Sequence, residues 1–194
     1  MDYRGSTIYY RDIFSSLPTL KTDRLILRPI KRSDAQDLYA YAQDPAVSRH
    51  VLWDAHKNVQ ESRQFIRAAR RQYRRGLPGS FAITLKDSGR MIGTVGFMWI
   101  NLDYRSAEVG YSLSRAYWNR GIMTEALRAV IAFGFDTLRL NRIEAQHETD
   151  NPASGRVMAH VGMQYEGTLR QRLKNKGRFV DVALYAILRS DPRL

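Results

Sequence analysis

The chain has 194 residues, which suits one compact domain with a real core. Its 44% hydrophobic and 26% charged residues exclude wholesale disorder, and the absence of cysteine excludes disulfides, thiolate metal sites and a cysteine nucleophile. The net charge of +12, carried by 25 Arg and 6 Lys, points to a polyanionic partner without choosing among nucleic acid, a phosphorylated cofactor and an acidic protein.

Residues 1–20 read as an N-terminal arm, aromatic but irregular, ending at Leu17-Pro18. Asp2, Arg4, Arg11 and Asp12 interrupt any apolar run there, so the arm does not read as a signal peptide. No stretch in the chain is long and apolar enough to span a bilayer, and the expected location is the cytoplasm. Residues 21–190 read as a single domain.

Arg24 to Arg28 is predicted as a strand closed by Pro29. Ser33 starts a helix with Gln36 at capping-box spacing, and Asn58 starts another with Glu61 at the same offset. Val59, Ile66, Ala69 and Tyr73 share one face of that second helix. Arg67, Arg70, Arg71, Arg74 and Arg75 share the opposite face, either as a solvated surface or as a docking surface for ribosomal RNA or an acidic protein. Gly76, Pro78 and Gly79 end the helix.

Strands follow over Phe81 to Leu85, Met91 to Ile100 and Ala107 to Leu113, the middle one apolar on both faces and therefore central. Leu127, Val130, Ile131, Phe135 and Leu138 then mark one face of a long helix. Arg142 to His147 reads as a strand, and Asn151-Pro152 as an N-cap followed by proline at the first helical position. That helix stops at Gly162, and strands over 163–173 and 178–188 finish a mixed α/β sheet of about seven strands with helices on both faces.

Between the strand ending at Leu113 and the long helix lies the loop Trp118-Asn119-Arg120-Gly121. A helix N-terminus presents unpaired N–H groups and partial positive charge, so glycine and arginine there suit an anion. The same residues also suit a turn glycine beside a solvated arginine. Neither G-x-x-x-x-G-K-[ST] nor G-x-G-x-x-G occurs.

The run AEVGYSLSRAYWNRGIMTEAL resembles the acetyl-CoA-binding core of the GNAT N-acetyltransferase superfamily, in particular its RimJ/RimL-like branch of protein N-terminal acetyltransferases. LKTDRLILRPIKRSDAQDLYAYAQDPAVSRHV is similar to the branch's N-terminal signature, RIEAQHETDNPASGRVMAHVGMQYEGTLR to its N-x-x-S segment, and GRFVDVALYAIL to its closing strand. Together these cover residues 20 to 190 in order. The resemblance implies a mostly antiparallel sheet with a splay between the fourth and fifth strands, where the backbone near Leu113 meets the pantetheine arm. Trp118, Asn119, Arg120, Gly121, Ile122, Met123 and Thr124 would cradle the pyrophosphate. Trp118 and Met123 depart from the superfamily's Q/R-x-x-G-x-G/A loop, Met123 being bulkier than the usual small residue.

Acetyl transfer to an amine needs a neutral nucleophile, oxyanion stabilisation and a proton for the departing thiolate. The superfamily's tyrosine, seven residues after the asparagine, is replaced here by Met158. The resemblance therefore implies Ser154 as the residue that binds or protonates the sulfur and Asn151 as a pantetheine contact, set against plain N-capping by Asn151 and a first-turn polar role for Ser154. Glu108 matches a carboxylate recurrent in the branch and reads either as a base acting through water or as a structural acid paired with an arginine. The carboxylate that some members carry shortly after E-G-x-L-R is missing, since this chain reads Gln171-Arg172-Leu173-Lys174. His50, His56, His147 and His160 do not read as a metal set, although His56 is placed either in the acceptor pocket or in a surface loop. The expected acceptor is a protein N-terminal α-amine, with a small amine, or a non-catalytic ribosome- or RNA-binding role on the same fold, as alternatives. The sequence leaves open a homodimer, and whether the arm pairs with a second subunit.

Overall fold

The computed structural model describes residues 10–192, and eight strands within it form one sheet. They are β1 (Leu20–Lys21), β2 (Leu25–Pro29), β3 (Ser80–Leu85), β4 (Met91–Asn101), β5 (Ser106–Leu113), β6 (Arg142–Glu148), β7 (Gln164–Asn175) and β8 (Arg178–Leu188), in spatial order β1-β2-β3-β4-β5-β6-β8-β7. Seven of them match the expected strands, and β1 is the addition. It is two residues long and folds back on β2 around Thr22, whose N–H reaches the Leu25 carbonyl at 3.1 Å.

β4 lies between β3 and β5 and is buried from Met91 to Phe97, which explains its apolar residues on both faces. All pairings are antiparallel except β5 with β6. That parallel pair is joined only over Ser106–Glu108 against Arg142–Glu144. Beyond Glu108 the two strands diverge, leaving the C-terminal half of β5 bonded on its β4 side alone. This is the expected splay.

The helices are α1 (Ala35–Ala42), α2 (Val59–Arg74), α3 (Ile122–Asp136) and α4 (Pro152–His160), with a single turn at Pro45–Ser48. The first helical stretch starts earlier than the Ser33/Gln36 spacing predicts. Asp34 accepts from the Lys31 N–H at 2.7 Å, and the Arg28 guanidinium forks onto the same carboxylate at 2.8 and 2.7 Å. A buried acid so paired is a stronger fixed point than an exposed serine cap. At α2 the Asn58 cap forms as expected, accepting from the N–H groups of Gln60 and Glu61. Glu61 turns back to Lys57 rather than to Asn58. Ile66 and Tyr73 are buried beneath α2, and all five arginines of the opposite face are exposed.

The arm differs from its expectation where it is described. Residues 10–15 are helical, and Phe14 is 1% exposed, meeting Phe97 edge-on at 6.3 Å. Burying a side chain of that size stabilises by about 1.5–3 kcal/mol, so this segment belongs to the domain core. Residues 1–9 of the arm and residues 193–194 lie outside the described residues. Among the described residues no helix is long and apolar enough to cross a membrane.

Candidate active site

The divergence of β5 from β6 opens a cavity of about 690 Å³. The C-terminal half of β5, the N-terminus of α3, the N-terminus of α4 and the segment 46–51 form its walls. Of the expected site residues, Leu113, Trp118, Asn119, Gly121, Ile122, Met123, Thr124, Asn151 and Ser154 line it. Arg120 and Glu108 are not among the lining residues.

The loop before α3 is shaped by backbone conformation. Asn119 at φ 57° and Gly121 at φ 70° are both left-handed, a conformation that asparagine tolerates and glycine adopts freely. Gly121 is the N-cap residue, and its carbonyl takes the first helical bond from the Glu125 N–H at 3.0 Å. The N–H groups of Ile122, Met123 and Thr124 therefore precede the first intrahelical bond and face an anion-favouring end of the dipole. The Trp118 indole donates to the Leu113 carbonyl at 2.8 Å, tying the loop to the end of β5. Arg120 lays its guanidinium 5.7 Å from the centre of the Tyr117 ring.

Met123 is 6% exposed and belongs to the core, so its bulk fills space beneath the first turn of α3. The small residue usual at that position is replaced by a packing residue, and Ile122 and Ala126 are buried on either side of it.

A staple from the N-terminal signature holds this loop from behind. Glu125 accepts from the Thr22 hydroxyl at 2.6 Å, the Arg24 N–H at 2.8 Å and the Arg24 guanidinium at 2.6 Å. Arg24 also donates to the Arg120 carbonyl at 3.0 Å. Partial burial pushes the Glu125 carboxyl up, but the bonds from Thr22 and Arg24 outweigh it and hold it below the usual range. The Thr-Asp-Arg just before β2 thus serves a helix start 101 residues away, a role its sequence position does not announce.

At the opposite wall, Asn151 precedes Pro152, the first residue of α4, but its side chain makes no capping bond. Plain N-capping therefore does not account for this asparagine, which lines the cavity instead. Ser154 lies in the first turn of the helix, and its Oγ is 2.9 Å from the Tyr111 hydroxyl. Tyr111 also donates to the Ser154 carbonyl at 3.1 Å. Burial pushes the Tyr111 phenol well above its ordinary range, offset in part by Ser154, so it stays protonated. Gly155 permits this approach of helix to sheet, since a Cβ there would sit 2.7 Å from His147 Nε2. Met158, at the position of the superfamily's tyrosine, is 1% exposed and packs in the core.

In sequence Tyr111 falls at the same every-second positions of β5 as Ala107, Val109 and Leu113 and so reads as a core residue. The available signal was that a buried tyrosine needs a partner for its hydroxyl.

Glu108 sits at the last paired position before the strands part. Its carboxylate accepts from the Trp99 indole at 2.7 Å and from the Gln146 amide at 3.0 Å, and among the described residues no arginine pairs with it. His56 is placed by Ser62, 2.8 Å from its Nδ1, and lies against Trp53 and Phe65. It is absent from the cavity wall, whereas His50 is part of it. His50 Nδ1 is 2.9 Å from Glu148 and 3.4 Å from Asp150, a meeting that sequence distance hid.

The chain matches the acetyltransferase (GNAT) domain family over residues 24–164. It is 35% identical to an uncharacterized N-acetyltransferase, p20, of Bacillus licheniformis, over 90% of this chain and 98% of the relative. It is 28% identical to the ribosomal protein uS5-alanine N-acetyltransferase of Escherichia coli, over 89% of this chain and 91% of that enzyme. The solved structure of RimL, a ribosomal L7/L12 α-N-protein acetyltransferase in complex with coenzyme A, superposes with a TM-score of 0.78 at 22% identity, covering 88% of this chain and 98% of that one. At that identity the likeness speaks for the fold.

Proposed function

The chain belongs to the acetyltransferase (GNAT) domain family and is an N-acetyltransferase, and from that premise we propose that it transfers acetyl from acetyl-CoA to the α-amine of a protein N-terminus by direct attack in a ternary complex. The observation that carries the reading is the meeting of Tyr111 and Ser154 in a cavity whose other end is the open N-terminus of α3. The cavity fits the cosubstrate in kind: a pocket of about 690 Å³, N–H donors for a pyrophosphate, and a strand edge without a sheet partner for an extended amide-bearing arm.

In this reading Ile122, Met123 and Thr124 offer their backbone N–H groups to the pyrophosphate, and Gly121 lets the loop approach it closely. Arg120, stacked on Tyr117, supplies positive charge at the mouth rather than in the wall. Asn151 binds the pantetheine arm with the side-chain amide that capping leaves unused. Tyr111, kept protonated by burial, has one proton to give; in this reading it swings from the Ser154 carbonyl to Ser154 Oγ and so turns the serine proton toward the sulfur. With no cysteine in the chain, direct attack replaces a thioester acyl-enzyme.

The α-amine acceptor rests on two supports. Such an amine has a pKa near 7.7–8.0 against about 10.4 for lysine, so it needs less help to lose its proton. Relatives named for ribosomal-protein acetylation share most of the chain's length. The exposed arginines Arg67, Arg70, Arg71, Arg74 and Arg75 form a basic face on α2 suited to ribosomal RNA or an acidic substrate protein. A net positive field also disfavours recruitment of a polycation such as spermidine.

The acceptor class is tested by offering acetyl-CoA with Ala-, Ser- and Met-initiated peptides, with an N-terminally blocked lysine peptide, and with spermidine. Mass spectrometry should locate the acetyl group on peptide α-amines. Acetylation of spermidine or lysine alone would reject the α-amine assignment while leaving the acetyltransferase intact.

A further inference from the structure

We propose that His50 is the general base that takes the proton of the acceptor amine, with Glu148 as its positioning residue. The inference rests on the preceding reading that Ser154 and Tyr111 mark the sulfur end of the cavity.

Glu148 ends β6, and its side chain is 4% exposed. The Asn175 amide donates to Oε1, and His50 Nδ1 lies 2.9 Å from Oε2. Burial pushes the Glu148 carboxyl up, but Asn175 and His50 outweigh it and hold it below the usual range. An ionised carboxylate only accepts hydrogen bonds, so the proton between the two groups sits on Nδ1. In the neutral ring Nε2 is then the bare nitrogen, on a residue that lines the same cavity as Ser154, Tyr111 and Asn151. Fixing one ring nitrogen against a carboxylate orients the imidazole and stabilises the cation it forms on taking a proton.

The ring's own backbone is anchored. The Lys176 ammonium donates to the carbonyls of Ser48 and Val51, both at 2.8 Å, and of Trp53 at 3.2 Å. The turn between β7 and β8 thereby holds the segment on both sides of His50. The charged groups facing the pair are Asp150, 3.4 Å from Nδ1, and Arg178 from the β7–β8 hairpin, while Lys176 reaches the carbonyls beside His50 and Arg49 and Arg156 line the same cavity. His160 also lines the cavity, but it lies six residues, about 9 Å, along α4 from Ser154. Glu108 lies outside the lining and has both oxygens engaged. In the region where some relatives carry a carboxylate, the Gln171 N–H instead donates to Asp181.

The neutral amine nitrogen forms a bond to the acetyl carbon, and the carbon–sulfur bond breaks. The surplus amine proton passes to His50 Nε2, and the departing thiolate takes one from the Tyr111–Ser154 hydroxyl pair. Solvent returns the first proton to the second site as products leave.

The test compares wild type, His50→Gln, His50→Ala and Glu148→Gln with a Ser-initiated peptide, from pH 5.5 to 9, with acetyl-CoA affinity and thermal stability measured alongside. Glutamine keeps the donor to Glu148 and removes the base. His50→Gln should lower kcat about a hundredfold or more with acetyl-CoA affinity within about twofold. On the acid side, the limiting slope of log kcat/KM should fall from about two to about one, because only the amine still titrates. Added imidazole should restore part of the His50→Ala rate. Glu148→Gln should lower kcat about tenfold and move the acid limb, as for a positioning residue. A His50→Gln enzyme with near-normal rate and an unchanged acid slope overturns the proposal. If wild type acetylates only spermidine, the acceptor assignment fails, and the same variants on spermidine decide the base separately. A wild type that acetylates no amine removes both.

Discussion

Tyr111→Phe is expected to lower kcat by about 10²–10³ while leaving acetyl-CoA affinity within about twofold, the pattern of a lost proton-transfer group. The hydroxyl removed contacts Ser154 Oγ at 2.9 Å and the Ser154 carbonyl at 3.1 Å. The ring itself stays, so the packing of β5 against α4 is kept. Ser154→Ala should give a loss of similar size, and the double variant should be little worse than either alone. Residues that act as one unit show that non-additivity. Stopped-time thiol release with a good peptide acceptor measures all three. Two losses that multiply in the double variant would mean that the hydroxyls act separately, and a Ser154→Ala enzyme at full speed would remove the serine from the mechanism.

The second large effect is expected at Gly121. A Cβ there would meet only the Arg24 guanidinium, at an ordinary 3.5 Å, so space is not the constraint. The constraint is φ 70°, which costs an L-residue about 1–2 kcal/mol and a β-branched one more. Gly121→Ala should weaken acetyl-CoA by about tenfold, and Gly121→Val should weaken it further, because the loop relieves strain by withdrawing its N–H groups. Titration calorimetry reads this directly. The domain should still fold, since nine buried residues of α3 hold the helix independently of its cap. Unchanged affinity in Gly121→Val would detach this loop from the pyrophosphate.

Much of the scaffold was legible in the sequence because its signals are local. The apolar residues of β4, the Asn58 cap and the stripe of Ile66 and Tyr73 each follow from period or spacing within a few residues. The loop before α3 was legible for the same reason, with glycine at the position that needs a left-handed backbone. What escaped is non-local. β1 is too short to show a period, and the helical segment at Phe14 draws its stability from Phe97. The Arg24–Glu125 staple joins residues 101 apart, and the His50–Glu148 contact joins residues 98 apart. Neither could be paired by inspection of one chain. Tyr111 was hidden differently, since its strand position made a core role sufficient explanation. Met123 departs from the loop pattern by its bulk, and that bulk is packed in the core.

In the proposed complex acetyl-CoA seats its pyrophosphate at the N-terminus of α3 and its thioester between Ser154 and the acceptor. Calorimetric titration of the full chain with acetyl-CoA tests it most directly. The expected result is one site per chain with micromolar affinity, weakened about tenfold in Gly121→Ala and nearly unchanged in Tyr111→Phe. Absence of binding at hundreds of micromolar, or binding indifferent to Gly121→Ala, would contradict it.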